Sequence, residues 1–209
     1  MNTASEVLDL SPVVPVVALD DAAHAAPLGQ ALLRGGIKTI EITLRTPAGL
    51  PAIERLAAEV PEIVIGAGTI TEPGQADKAR QAGARYIVTP GATDELLDDI
   101  EATGLPYLAG ISTVSEAMRL AARGATAMKF FPAEPSGGVP YLKSIAGPLP
   151  HLRFCPTGGI DADNAARYLA LPNVGCVGGS WLAPKSLLAA GQWGQVEALA
   201  RQAAALGPA

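Results

Sequence analysis

A lysine stands inside an apolar run, Ala127-Met128-Lys129-Phe130-Phe131-Pro132-Ala133-Glu134. A strand alternates its faces with period two, so Lys129 and Phe131 point one way and Met128 and Phe130 the other. A lysine is rarely buried without a partner. Burial disfavours an ammonium ion and lowers a lysine pKa from about 10.4. A neutral amine is a nucleophile, and its natural target is a carbonyl. The plainer alternatives are a side chain that snorkels to the strand end, or one paired with a buried carboxylate. The segment Thr39 to Arg45 offers such a carboxylate. Glu41, Thr43 and Arg45 share one face, and Ile40, Ile42 and Leu44 the other. With the aliphatic face against helices, Glu41 looks inward and needs a partner or a raised pKa. A carboxylate facing an amine is either a structural ion pair or an acid/base beside a nucleophile.

The surrounding elements must bring these two side chains together. Ser5 to Leu10 reads as a short leading helix, and Val13 to Leu19 as an apolar, β-branched strand. Ala22 to Arg34 reads as a helix stopped by Gly35-Gly36, with Pro27 kinking it or delaying its start. The strand-then-helix unit then recurs. Strands are expected at Thr39–Leu44, Ile63–Thr69, Tyr86–Thr89, Pro106–Ile111, Ala127–Phe131, Arg153–Pro156 and Val174–Val177. Helices are expected at Pro47–Val60, Pro73–Ala82, Thr93–Ala102, Thr113–Arg123, around Val139–Ile145, at Ala162–Leu171 and from Lys185 onward. Strands apolar on both faces, alternating with helices, imply a parallel sheet with helical crossovers. Eight units in 209 residues fit a single (β/α)8 TIM barrel over 1–209, with a short N-terminal helix. The alternative, a doubly wound dinucleotide-binding sheet, calls for Gly-x-Gly-x-x-Gly after the first strand, where this chain has Leu19-Asp20-Asp21.

In such a barrel the chemistry lies at the C-terminal ends of the strands. Arg45 stands at one tip, able to grip a carboxylate or phosphate with its fork of donors. Gly66-Ala67-Gly68-Thr69 ends another strand, with glycines that let a ligand approach the backbone and a hydroxyl beside them. Thr89-Pro90-Gly91 forms a rigid turn with a polar lip. Pro156-Thr157-Gly158-Gly159-Ile160-Asp161 and Val177-Gly178-Gly179-Ser180 end the last two strands. Their glycine pairs expose amides that can cradle an anion, in the place where barrels often bind phosphate. Ordinary turns, with Asp161 or Asp163 capping the next helix, would read the same way. His24 and His151 fall off these ends and read as surface or structural, and Trp181 and Trp193 read as packing.

Composition narrows the partners. The net charge is −5 with no basic run, and aromatic residues make up only 4%, which argues against nucleic acid. The segment Met1 to Leu10 lacks the basic start and apolar core of a signal peptide, and no apolar run approaches membrane-spanning length. Cys155 and Cys176 read as isolated, reduced core residues of a cytosolic protein. No cluster of metal ligands is evident.

Taken together, the chain resembles the 2-keto-3-deoxy-6-phosphogluconate aldolase family, class I lyases that include 4-hydroxy-2-oxoglutarate aldolases. The resemblance runs through Glu41-Ile-Thr-Leu-Arg45-Thr46, Gly66-Ala-Gly-Thr69, Pro90-Gly91, Gly110-Ile-Ser-Thr113, Lys129-Phe-Phe-Pro-Ala-Glu134, Pro156-Thr-Gly-Gly-Ile160 and Gly178-Gly-Ser-Trp181, over nearly the whole chain. The lysine and Glu-x-x-x-Arg motifs carry its specificity, and Thr89 departs from a frequent serine. The resemblance implies a cytoplasmic homotrimer of small barrels with no metal or organic cofactor, serving the Entner–Doudoroff pathway. It implies that Lys129 forms a Schiff base and that Glu41 is the acid/base, acting through a bound water. It further implies that Arg45 and Thr69 hold a carboxylate, that Pro90 and Phe131 line that pocket, and that Thr157 lies near the hydroxylated carbon. Gly158, Gly159, Gly179 and Ser180 would bind phosphate. The expected reaction is cleavage of the phosphogluconate to pyruvate and glyceraldehyde 3-phosphate. Alternatives are the galactonate epimer or an unphosphorylated 4-hydroxy-2-oxo acid, with oxaloacetate decarboxylation as a side activity. From other classes come a non-catalytic sugar-phosphate-binding barrel and an isomerase using Glu41 without covalent chemistry.

Overall fold

Short apolar segments rich in Val and Ile pair side by side, all in parallel, and a helix returns the chain after nearly every one. The computed structural model describes residues 3–206. Residues 1–2 and 207–209 of the expected 1–209 domain, with Met1 and Asn2 of the lead-in, lie outside the described residues. Helix α1 (Ala4–Leu8) precedes β1 (Val13–Val17) and α2 (Ala25–Arg34). There follow β2 (Thr39–Thr43), α3 (Gly49–Glu59), β3 (Val64–Gly68), α4 (Gln75–Ala82), β4 (Tyr86–Val88) and α5 (Asp94–Ala102). The next are β5 (Tyr107–Leu108), β6 (Gly110–Ile111), α6 (Val114–Ala122), β7 (Ala127–Phe130) and α7 (Gly138–Ala146). The chain closes through β8 (Arg153–Pro156), α8 (Ala165–Leu169), β9 (Val177–Gly179), α9 (Lys185–Ala189) and α10 (Trp193–Ala204).

The strands form a six-stranded sheet, β5-β4-β3-β2-β1-β9, and a three-stranded sheet, β6-β7-β8. The two join at both ends. β5 and β6 are halves of the expected single strand, parted at Ala109, where the Gly110 amide turns to the Thr89 hydroxyl at 3.1 Å. β8 meets the β9 segment through isolated bridges, Phe154 to Val174 and Thr157 to Gly178. The expected eight units therefore follow one another round a ring of parallel strands, although its hydrogen-bond ladder is broken at these two places.

Other differences are local. The last strand pairs over Val177–Gly179 rather than Val174–Val177, because Val174 bridges only to Phe154. The helix expected over Ala162–Leu171 shortens to α8, since Asp161 and Asn164 form a side-chain-bonded turn before it. The expected helix Ala22–Arg34 begins as a 3-10 turn, Ala22–His24. Pro27 then falls in the first turn of α2, where a missing amide costs no intrahelical bond. The closing helical region breaks at Gly191 (φ 62°) into α9 and α10.

Two apolar clusters divide the interior. The larger lies between strands and helices and holds Ile40, Ile42, Met128, Phe130 and Phe154. Each such fully buried side chain contributes about 1.5–3 kcal/mol. The smaller fills the ring itself with Val14, Tyr86, Val88, Leu108, Ala127, Cys155 and Cys176, and Val7 and Leu8 of α1 pack against it. Helix α1 thus closes one end of the ring.

Candidate active site

Lys129 sits in β7 between Gly110 of β6 and Cys155 of β8. Its outward neighbours Met128 and Phe130 are fully buried against the helical layer, which turns Lys129 into the ring. Glu41, from β2, also points inward. Both side chains are only 4% exposed, and Lys129 Nζ lies 3.6 Å from Glu41 Oε1. That is ion-pair distance but longer than a hydrogen bond. Glu41 Oε1 is buried without a hydrogen-bond partner. Such an atom is costly in a purely structural pair, which needs its remaining lone pairs satisfied. The Phe131 ring centroid lies 5.1 Å from Nζ, covering the amine on the rim side.

Two glycines make this pairing possible. A Cβ at Gly68 would overlap the Glu41 carboxylate, and a Cβ at Gly66 would overlap the Tyr86 ring. The expectation that these glycines admit a ligand to the backbone is therefore corrected: the chain's own side chains fill the space. Below Glu41, the Thr39 hydroxyl donates to Val64 O at 2.9 Å, so the Tyr86 hydroxyl, also 2.9 Å away, donates to Thr39 Oγ1. Burial pushes the Tyr86 phenol well above its ordinary pKa, and the Glu41 charge acts in the same direction. Tyr86 is a neutral floor to the site.

At the rim, Arg45 Nε donates to Thr69 Oγ1 at 3.0 Å, so these two expected site residues meet. Thr69 has φ 60°, a left-handed backbone uncommon for a β-branched residue and costing about 1–3 kcal/mol. Pro90 lies against Gly110, whose absent side chain leaves room for the Pro90 carbonyl. Thr157 is buried, and its hydroxyl occupies the space a side chain at Gly178 would need. The Trp181 ring does the same at Gly179, which bears out Trp181 as packing. Ser180 is exposed at the end of β9. Gly158 (φ 101°) and Gly159 (φ 78°) form a left-handed turn that other residues adopt with strain. Among the described hydrogen bonds none uses the Gly159 or Ile160 amide.

Remaining residues divide simply. His151 is exposed, and His24 packs edge-on against Trp193 with ring centroids 5.7 Å apart. The cysteines are free and buried, but they are not isolated from each other. The proximity of the Cys155 side chain and burial push the Cys176 thiol well above its ordinary pKa. No metal-holding group of His, Cys, Asp or Glu occurs among the described residues, and no helix among them is long and apolar enough to cross a membrane. The sequence reading missed Tyr86, and also Tyr168, whose hydroxyl donates to Glu134 of the lysine motif. Tyr86 follows Arg85 at the start of the short run Tyr86-Ile87-Val88 and carries no local signal of its inward role. Neither the surface cleft of about 320 Å³ between α5 and α6 nor that of about 830 Å³ beside Leu8 and Arg153 is lined by Lys129 or Glu41.

A family profile described as KDPG and KHG aldolase matches residues 4–199. The chain is 49% identical over 203 residues to the 2-dehydro-3-deoxy-phosphogluconate aldolase of Pseudoalteromonas atlantica, covering 97% of this chain and 94% of that protein. A crystal structure of KDPG aldolase from Legionella pneumophila, with pyruvate captured as a covalent carbinolamine, superposes with a TM-score of 0.94. It is 42% identical and covers 97% of this chain and 98% of the other. The KDPG aldolase of Zymomonas mobilis ZM4 with 3-phosphoglycerate gives a TM-score of 0.92 at 41% identity, covering 100% and 98% of the two chains.

Proposed function

The chain belongs to the KDPG and KHG aldolase family, and from that membership we propose that it is a class I aldolase using Lys129 as its nucleophile. Its reaction is cleavage of 2-dehydro-3-deoxy-6-phosphogluconate to pyruvate and glyceraldehyde 3-phosphate. The observation that carries the reading is the buried Lys129–Glu41 pair at 3.6 Å, with Glu41 Oε1 lacking a hydrogen bond.

The Lys129 amine attacks the C2 ketone to give a carbinolamine. Glu41 moves the protons that expel water and leave an iminium. The iminium is the electron sink: a base takes the C4 hydroxyl proton, the C3–C4 bond breaks and its electrons form an enamine. The aldehyde departs. Protonation at C3 and addition of water release pyruvate and restore the amine. The buried setting keeps the amine's partners few and strengthens the field of the carboxylate.

The remaining assignments belong to the same proposal. Arg45 and Thr69 hold the carboxylate, a role their mutual hydrogen bond supports. Pro90 and Phe131 line the pyruvate pocket, and Thr157 meets the hydroxylated carbon. Gly158, Gly159, Gly179 and Ser180 hold the phosphate. Residues 1–209 act as one domain, for which the continuous core from Val13 to Ala203 speaks. The homotrimer rests on family resemblance, and light scattering on the purified protein tests it. Two free, buried cysteines suit a reducing cytoplasm. A second reading, the same chemistry on an unphosphorylated 4-hydroxy-2-oxo acid, is favoured by the breadth of the matching family, which includes KHG aldolases.

Borohydride reduction in the presence of pyruvate, followed by peptide mass analysis, tests the nucleophile. The expected result is a reduced pyruvate adduct on Lys129 alone. A folded protein with no adduct, or with the adduct on another lysine, would overturn the assignment and favour the non-covalent readings.

A further inference from the structure

The Gly158–Gly159 turn is held from behind at three successive carbonyls. Ala133 N donates to Thr157 O at 2.8 Å, and Glu134 N donates to Gly158 O at 3.0 Å. The third partner is a side chain: Asn164 Nδ2 donates to Gly159 O at 2.9 Å. The same side chain accepts from Asp161 N through Oδ1 at 3.1 Å. Asn164 therefore spans the turn from Gly159 to Asp161 and fixes the peptide planes between them. It is half-buried, on the chain just before α8, and the Asp161 carboxylate accepts from its own amide at 3.2 Å. With the carbonyls drawn back, the amides of Gly159 and Ile160 are left facing away from the brace without partners among the described hydrogen bonds.

A turn with two left-handed glycines has many conformations open to it, and most would not present neighbouring amides together. Two of the three carbonyl contacts come from backbone and cannot be altered by a side-chain change. The Asn164 contact is the one that the sequence can tune. We propose that Asn164 is a positioning residue that locks the Gly158–Gly159 turn as an anion cradle and thereby sets the preference for phosphorylated over unphosphorylated substrates. This rests on the aldolase reading for its substrate. Asn164 touches neither Lys129 nor Glu41, so its loss should leave the covalent steps alone and weaken only the grip on the phosphate.

Two variants separate the brace from the fold. Asn164→Ala removes both contacts, and Asn164→Asp keeps the acceptor for Asp161 N but loses the donor to Gly159 O. Steady-state kinetics on the phosphorylated substrate and on an unphosphorylated 4-hydroxy-2-oxo acid are compared with the calorimetric affinity for inorganic phosphate. Both variants should raise KM for the phosphorylated substrate about tenfold, the scale of one net hydrogen bond, with kcat little changed. They should weaken phosphate by a similar factor and leave the unphosphorylated reaction as it was. Unchanged KM and phosphate affinity would overturn the proposal, and so would equal losses on both substrates, which mark general destabilisation. Should the unaltered protein turn over neither substrate while both variants still weaken phosphate, the aldolase reading falls and the cradle stands.

Discussion

At Gly68 an absent side chain decides where a catalytic-type carboxylate can sit. Its neighbour across the ladder is Thr43, and its inward face is occupied by Glu41. An alanine there has no backbone objection, because Gly68 is not among the left-handed glycines. Its Cβ would instead push the Glu41 carboxylate off the line to Lys129. Displacement of a reacting group by about 1 Å costs roughly 10²-fold in rate. Gly68→Ala should therefore lower kcat by about 10²-fold while costing only about 1–3 kcal/mol of stability from overpacking. Measured kcat alongside a urea midpoint checks this, and a variant with full activity would remove Gly68 from the account. The inward pairing of Lys129 and Glu41 was legible because a two-residue alternation sorts faces without knowledge of the partner strand. The purpose of Gly66 and Gly68 was not, because glycine announces a missing side chain and not what takes its place.

Helix α6 shows what an element contributes at its first turn. Thr113 Oγ1 accepts from Glu116 N at 3.2 Å, and Glu116 Oε2 accepts from the Ser112 and Thr113 amides at 2.8 Å each. This reciprocal capping satisfies donors that the helix itself leaves open. The Ser112 amide holds the Glu116 carboxyl below its usual range against the opposing effect of burial, with smaller help from Thr113. A carboxyl lowered in the folded state stabilises fully above its unfolded pKa, about 4.3, and loses that contribution as pH falls through the lower folded value. The urea midpoint should therefore drop more between pH 7 and about pH 3 in the unaltered protein than in Glu116→Gln. Equal drops would show that the carboxylate adds nothing. The helix expected over Thr113–Arg123 runs from Val114 to Ala122, with Thr113 as its cap. The parting of β5 from β6 and the register of β9 were not readable. Both depend on which distant strand lies alongside, as when Thr89 draws the Gly110 amide out of the ladder.

Across the whole molecule, the order of strands around the ring follows the order of the chain, which is why repeated strand-then-helix units sufficed to foresee the architecture. What the repeats could not reveal is that the ring has a stopper. Val7 and Leu8 of α1 cap a core of Tyr86, Leu108, Cys155 and Cys176, so the space around Lys129 opens in one direction only. Lys129 lies inside, while Ser180 and Gly159 are exposed at the strand ends. A cul-de-sac imposes a sequence on departure. The fragment nearest the exit must go first, and the one tethered at the bottom must wait for it. Cleavage should then behave as an ordered process in which pyruvate is the last to leave. Product-inhibition kinetics would show pyruvate competing with the substrate for empty enzyme and the aldehyde inhibiting without competition. The reverse pattern would mean that the closed end is not closed.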